Sequence, residues 1–478
     1  MRTDICPAPA SIRSARSGHK PGPVKTRLRA SSFDSQKHPK PASQRPFANL
    51  HFILPPLITL ILSLLGLSVP AQTIGNHPAI YDANGVLLPW TSWRDALNRE
   101  VNWYLKCPQE QGYPRFVLMT FMQGDYNPNP KRPDFIPAMQ NGMGIISYLK
   151  YYAFTGKTNL AVLQIARAMG DYLAKENLTP GTGKYPRFSR STGQRFGLPQ
   201  PPDCGSQADR PYEIQPDKGG IAGYALALLF EETKNELYLQ QALQNARVLM
   251  ANLREGTATN SPWPFRADYR TGIARGEVAS NMSFILRLFD KLIELGHPEF
   301  QPPRTRVWAW IKNFQLPNLA TDGLLWVQFF EDYELLNNRN SWAPLNLARY
   351  LVEKKDLLDP EWQKDARALI EFVNRRFTSI RSGVLVCGEQ DDDKDPWGGA
   401  VSTYGAVLAL YTKATGSNEY RGLAFQVLNY ALYATDDDGC PSEAVWKGKR
   451  RGGWQEDAHT DRLHNYMDAM NAFPEWAR

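Results

Sequence analysis

The chain has 478 residues and a formal net charge of +7, from 55 Lys and Arg against 48 Asp and Glu. The excess belongs to the leader: residues 1–71 hold ten basic residues but only Asp4 and Asp34, leaving 45 basic against 46 acidic residues, net −1, in residues 72–478. No basic stripe remains to match a phosphate backbone, so nucleic acid is excluded as the expected partner.

In chain order, residues 1–71 read as a basic, Pro- and Ser-rich, disordered leader. It ends in the uncharged run Phe52–Val69 followed by Pro70, Ala71 and Gln72. Val69 and Ala71 suit signal-peptidase cleavage after Ala71, which makes the expected location secreted or periplasmic. The alternative is an uncleaved anchor, since the run is near the lower limit of about 18 residues for a spanning helix. Membrane contact is therefore expected only through this segment if it is not removed. The leader is long for a signal, so the true start codon is expected downstream of Met1. Residues 72–91 form an N-terminal extension.

Ser92–Lys106 opens a series of helices. The first pair is Ala138–Phe154 with Asn159–Lys175, and the clearest is Gly219–Leu253. Its first half, Gly220–Phe230, is apolar or small on every side, as suits a helix surrounded by protein. In its second half Tyr238, Ala242, Leu243, Ala246, Leu249, Met250 and Leu253 recur at helical spacing among polar residues, which predicts a one-faced helix. The alternation of inner and outer member returns in Val278–Leu295 with Arg304–Gln315, Trp342–Glu353 with Pro360–Phe377, and Ala400–Thr415 with Asn418–Ala434. Gly156, Gly296 and Gly416 punctuate the turns, where glycine supplies the positive torsion that ends a helix. Thr460–Ala472 closes the series, and pairing it with the first helix gives six hairpins in a ring. Each hairpin then buries its apolar face against its neighbours.

Turns within hairpins are short, whereas the links 107–137, 176–218, 255–277, 316–341, 378–399 and 435–459 are long. All six emerge on one rim, and long irregular loops are uncommon unless they do something, so the site is expected there. The inner helices begin at that rim and present amide groups that favour an anion.

Alternating short and long connections over twelve helices resemble the (α/α)6 toroid of the six-hairpin glycosidase superfamily. Trp263–Gly272, Phe329–Tyr333, and the ending His464–Met467 with Pro474–Trp476 are similar to secreted members. The resemblance covers residues 92–478 and implies an all-α (α/α)6 toroid of six helical hairpins, with long loops on one rim, as a catalytic domain acting on glycans. No catalytic motif of a named hydrolase or lyase family maps onto these positions, so the fold analogy does not assign a reaction.

Glycosidic cleavage needs a proton donor and an opposing base or nucleophile. Glu331 and Asp332 sit in the apolar, strand-like Leu324–Tyr333, and Glu389 follows the apolar Val384–Cys387; burial there would raise one carboxyl pKa. Asp391, Asp392, Asp393 and Asp395 read instead as a solvated or calcium-binding turn. Trp263, Trp326, Trp397, Trp446 and Trp454 lie in the long loops, where they would either stack on a sugar or plug their loops onto the toroid. Arg266, Arg270 and Arg275, with Lys184, Arg187 and Arg190, either meet a uronic carboxylate or form a solvated face. The second concentration is His459–Tyr466: His459 or His464 with Tyr466 would supply the base of a lyase or epimerase, with Asn465 or an arginine as neutraliser, unless the segment is simply a capped helix. Cys107, Cys204, Cys387 and Cys440 permit two disulfides or none, and their spacing is not that of a zinc site. No HExxH, P-loop or GxSxG pattern is present, and neither a metal nor a nucleotide cofactor is expected. The leading expectation is an exported glycoside hydrolase acting on a polysaccharide or oligosaccharide, uronate-containing glycans among the candidates. The alternatives are a polysaccharide lyase or uronyl epimerase, and a non-catalytic glycan-binding toroid.

Overall fold

The computed structural model describes residues 72–109, 112–114, 136–191, 209–210, 212–278, 281–327, 337–445 and 455–478, all within the unit Pro70–Arg478. Among these residues lie twelve α-helices: α1 (Trp93–Lys106), α2 (Pro137–Phe154), α3 (Leu160–Lys175), α4 (Pro216–Thr233), α5 (Glu236–Ala251), α6 (Met282–Glu294), α7 (Gln301–Trp310), α8 (Trp342–Lys354), α9 (Trp362–Phe377), α10 (Gly398–Thr415), α11 (Arg421–Leu432) and α12 (Gln455–Ala472). The even-numbered helices form the inner ring. Each packs on the next, and α12 packs on α2, so the circle closes. Each odd-numbered helix lies outside against its hairpin partner, α1 pairing with α12. This is the all-α toroid of six hairpins that the alternating connections implied.

The division into inner and outer members follows from side-chain pattern. Residues 398–409 of α10 are buried without interruption, because that helix is surrounded by protein. Outer α9 buries Trp362, Asp365, Ala366, Leu369, Ile370, Phe372, Val373 and Phe377, a single stripe at helical spacing. In α5 the expected stripe is buried from Tyr238 to Leu249, but Met250 is exposed. One residue beyond Leu249 is a turn of about 100° around the helix, which carries Met250 off the apolar face. Gly296 and Gly416 take φ of 94° and 71° at their turns, as a left-handed helix stop requires.

The strands are short and peripheral. Residues 72–91 make two antiparallel hairpins, β1 (Thr73–Ile74) with β2 (His77–Pro78) and β3 (Ile80–Tyr81) with β4 (Leu87–Leu88). They are fastened to α11 and its C-terminal end: Asn429 donates to the Leu87 carbonyl, Tyr433 to that of Leu88, and the Trp90 indole to that of Leu432. β5 (Glu213–Ile214), β6 (Arg266–Asp268) and β7 (Ala274–Gly276) form a small sheet, and β8 (Thr378–Arg381) pairs with β9 (Val384–Cys387), the segment expected to be strand-like. Leu324–Trp326, also expected to be strand-like, is instead a single 3-10 turn following Gly323, whose φ of 71° bends the chain out of extension. Cys107, Cys387 and Cys440 are buried and no two of them are joined, while Cys204 lies outside the described residues. Among the described residues no helix is long and apolar enough to cross a membrane.

The ring is sealed where its first helix meets its last. Glu100 on α1, fully buried, accepts hydrogen bonds from His459 Nδ1 at 2.8 Å and Arg462 Nη2 at 2.9 Å on α12, and from Thr435 Oγ1 at 3.0 Å. Trp93 packs edge-on to Tyr466 and Trp476 in the same seam. Removing one partner of such a buried pair strands the other charge, at a typical loss of about 3–5 kcal/mol. Glu100→Ala is therefore expected to lower stability by about that amount in chemical denaturation, and Glu100→Gln by less because it still accepts from Arg462. A loss below about 1 kcal/mol for Glu100→Ala would show that the seam does not depend on this carboxylate.

Candidate active site

The inner helices start at the end of the ring where the long connections emerge, and two of those connections deliver carboxyl groups to the starts of α8 and α10. The connection before α12 brings in Glu443, which is 4% exposed. Its Oε1 accepts from the Gly399 backbone amide at 2.6 Å, and its carbonyl accepts from that of Gly398 at 2.7 Å. The inner-helix start was expected to favour an anion, and here the chain places a carboxyl group of its own on the amides. Glycine is required at this point: a Cβ on Gly399 would lie 2.8 Å from Trp342 Cη2 and 2.9 Å from Glu443 Oε1.

Trp342, the first residue of α8, links this group to a second carboxylate. Its indole N–H donates to Glu389 Oε1 at 2.9 Å, while the far edge of the ring, at Cη2, borders Gly399 and Glu443. Glu389 is half-buried, placed by β9, and its backbone carbonyl accepts from Ser341 N at 2.8 Å. The two carboxyl groups thus stand at opposite ends of one indole in unlike surroundings. Burial pushes the Glu443 carboxyl up to about 8, with the Gly399 amide opposing, while nearby Asp461 adds to the rise. Asp461, on α12 and 4% exposed, is also raised by burial, with Thr460, Lys218 and Arg349 pulling the other way.

The other expected site residues are distributed differently. Trp397 is half-buried just before α10, with its indole N–H on Asp393 Oδ2 at 2.8 Å. Trp263 and Trp326 are fully buried, their indoles donating to the carbonyls of Leu249 and Gln315. Protein covers the faces that a sugar would stack on, so these two plug their connections onto the helices. Arg266, 1% exposed, is held by Asp209 at 2.9 Å, which removes it from any uronic carboxylate. Arg270 is engaged by Asp268, whose carboxyl it holds down to about 2. His459 has both ring nitrogens occupied, by Glu100 and by Tyr148 Oη at 2.9 Å, and stacks on Tyr104; it belongs to the seam. Tyr466 points outward, donating to the Leu428 carbonyl at 2.8 Å, and cannot serve as a base on the ring axis. Glu331, Asp332, Trp446 and Trp454 lie outside the described residues.

His464 does face the axis. Its Nδ1 lies 3.2 Å from both the Thr460 carbonyl and Ser147 Oγ, and Ser147 directs its own proton to that carbonyl at 2.5 Å. Both neighbours therefore act as acceptors, Nδ1 carries the hydrogen, and Nε2 keeps its lone pair. Burial, with Arg349 and Lys150 nearby, holds the ring well below the usual histidine range and hence neutral.

The acidic cluster Asp359, Glu361 and Asp365 has metal-like spacing, but Lys312 Nζ occupies its centre at 2.7, 3.3 and 2.5 Å. Among the turn acids, Asp391 is paired with Arg376 at 2.7 Å and Asp395 with Arg381 at 3.2 Å. Sequence reading passed over Glu443, Trp342, Lys218 and Arg349. The last three carried one usable signal: each is a large polar or aromatic residue on a helix otherwise buried all round.

No family model matches the chain, and no curated protein does. Among solved structures it is similar to a D-mannose isomerase, at 12% identity and a TM-score of 0.57 over 80% of this chain and 96% of that one. It is also similar to the cellobiose 2-epimerase of Spirochaeta thermophila DSM 6192, at 14% and 0.55 over 89% and 100%. A family 76 glycoside hydrolase from a bovine Bacteroides thetaiotaomicron strain gives 11% and 0.57 over 80% and 78%. At these identities the likeness is one of fold alone: the chain carries an (α/α)6 toroid.

Proposed function

We propose that the chain is an exported carbohydrate-active enzyme that hydrolyses glycosidic bonds at the rim where the inner helices begin. The observation that supports this best is the pair Glu389 and Glu443 at the two ends of the Trp342 indole, one half-exposed and one buried. Hydrolysis needs one carboxyl that keeps its proton and another that does not. Glu443 fills the first role: with Oε1 occupied by the Gly399 amide, its proton sits on Oε2, for delivery to the glycosidic oxygen. Glu389 is the base or nucleophile. Trp397 and the edge of Trp342 offer aromatic surface for the sugar ring, and Glu331 and Asp332 remain candidates on the neighbouring connection.

Incubation with a glycan library is expected to yield products heavier by one water, read by mass spectrometry. Glu443→Gln and Glu389→Gln are each expected to reduce turnover by at least about 100-fold while retaining binding, the usual scale of general acid or base loss. Activity of the native protein is expected to decline above about pH 8, as Glu443 loses its proton. The same group bears on stability. Between the ordinary carboxylate value of 4.5 and about 8 the native state keeps a proton that the unfolded chain releases, so stability falls as pH rises through that window. Glu443→Gln is expected to flatten this fall in melts at pH 5 and pH 8; an unchanged slope would remove Glu443 as the protonated acid.

His464 favours a second reading, a lyase or epimerase, because its neutral ring presents Nε2 to the axis as a base. If both Gln variants keep full activity while His464→Ala abolishes it, and the product is unsaturated or isomeric, this reading replaces hydrolysis. For export, cleavage after Ala71 predicts a mature N-terminus at Gln72. Full-length protein recovered from the membrane fraction would contradict it.

A further inference from the structure

A cavity of about 260 Å³ occupies the axis of the ring. It is not at the rim of the long connections. Its wall comes largely from the middle and C-terminal parts of the inner helices, and the side chains that reach solvent, Lys150 on α2 and Glu353 on α8, lie near the C-terminal ends of theirs, 32% and 31% exposed. The mouth therefore opens on the face of the short hairpin turns, opposite the Glu389 and Glu443 pair.

The guanidinium groups in this cavity are not fully satisfied by the described residues. Lys150 pairs with Asp468 at 2.5 Å and Arg287 with Glu353 at 2.5 Å, each a one-to-one match. Arg349, 4% exposed, has no carboxylate of its own among the described residues: Asp468 is 3.9 Å away and already taken, and its one strong contact is a hydrogen bond from Nη2 to the neutral Asn465 Oδ1. The carboxyl groups that act on Arg349 are Asp468, Glu353 and the burial-raised Asp461; none of them is in direct hydrogen-bond contact with it, and His464 is neutral. Arg349 Nε and Arg287 Nη2 are both buried without a hydrogen-bond partner among the described residues, a state that native interiors rarely leave unsatisfied. Both arginines line the cavity, as do Tyr224 and Phe284, which give it aromatic wall, and Asn346 and His464, which give it neutral polar groups.

We propose that this cavity binds one acidic monosaccharide, its carboxylate held by Arg349 and Arg287. A guanidinium matches a carboxylate with paired N–H donors, and the ligand supplies the acceptors that Arg349 Nε and Arg287 Nη2 lack. Asn346 and His464 Nε2 then meet ring hydroxyls, and Tyr224 and Phe284 flank the ring. The volume, just under the roughly 300–1,000 Å³ of ordinary ligand pockets, admits a single small ring and not a chain. Binding in this cavity is independent of hydrolysis at the rim by Glu389 and Glu443; under the His464 reading the reaction would run in this cavity itself.

The test is isothermal titration calorimetry of the full chain with D-glucuronate, D-glucose and inorganic phosphate. Glucuronate is expected to bind one to one, glucose not at all, and phosphate more weakly than glucuronate. Arg349→Gln is expected to weaken glucuronate by at least about 30-fold, the scale of truncating one side of a buried charge pair. Ile146→Phe, which fills the cavity without touching a charge, is expected to do the same while glycan turnover at the rim persists, and melting curves for both variants show that they are folded. The proposal is overturned by no glucuronate heat, by phosphate binding as tightly as glucuronate, by affinity unchanged in both variants, or by affinity lost on Glu389→Gln, which would place the ligand at the rim.

Discussion

A closed array of hairpins depends on one contact that sequence order does not provide, between its first helix and its last. In this chain it is a buried carboxylate, Glu100, shared by His459, Arg462 and Thr435. An open stack of hairpins needs capping repeats to cover its terminal faces, and closure makes them unnecessary because every inner helix has two inner neighbours. The cost is a fixed charge in the interior, which is tolerable because every acceptor position on Glu100 that matters is met by a donor. Using His459 here also removes it from the chemistry, since a histidine with both nitrogens engaged has neither a proton to give nor a lone pair to offer.

Closure brings six helices close around one axis, and small residues make that approach possible. Gly220 of α4 lies against Ile285 of α6, and Gly399 of α10 against Trp342 of α8, with no room for a Cβ in either place. What remains inside the ring is a set of buried polar groups, Glu443, Asp461, Arg349, His464, Asn465 and Asp468. In that setting burial raises the Glu443 carboxyl although Arg462 and the Gly399 amide oppose the rise. A carboxylate lying between cations is kept charged instead: Asp468, beside Lys150 and Arg349, is shifted down despite its burial. Local surroundings thus separate a carboxyl that burial raises from a carboxylate that neighbouring cations lower.

The outer members contribute rigidity more than chemistry. Tyr466 reaches from α12 to the Leu428 carbonyl on α11, and the Trp263 and Trp326 indoles reach backbone carbonyls at Leu249 and Gln315, so the aromatic residues that look most suited to sugar binding spend their hydrogen bonds on anchoring. The same holds for Arg266, whose charge is neutralised by Asp209. Among the described candidates the rim is left with Trp342, Trp397 and the carboxyl groups beside them.

Helix periodicity and connection length are local properties, and they were enough to determine the architecture. The uniform apolarity of Gly220–Phe230, the single stripe from Tyr238 to Leu249 and the glycine stops at Gly296 and Gly416 depend on neighbours a few residues away, so the ring and its inner and outer members could be read without coordinates. The leader's basic charge was legible for the same reason. The site was legible only in part. Glu389 could be placed because it follows an apolar strand, whereas Glu443 stands in an unpatterned Ser-Glu-Ala stretch and gains its character from Gly399 and Asp461, 44 residues before it and 18 residues after it. Exposure decided the remainder. An indole, a guanidinium or an imidazole reads the same in sequence whether it faces a cleft or a carbonyl, and only the packing of distant segments separated Trp397 from Trp263, and His464 from His459.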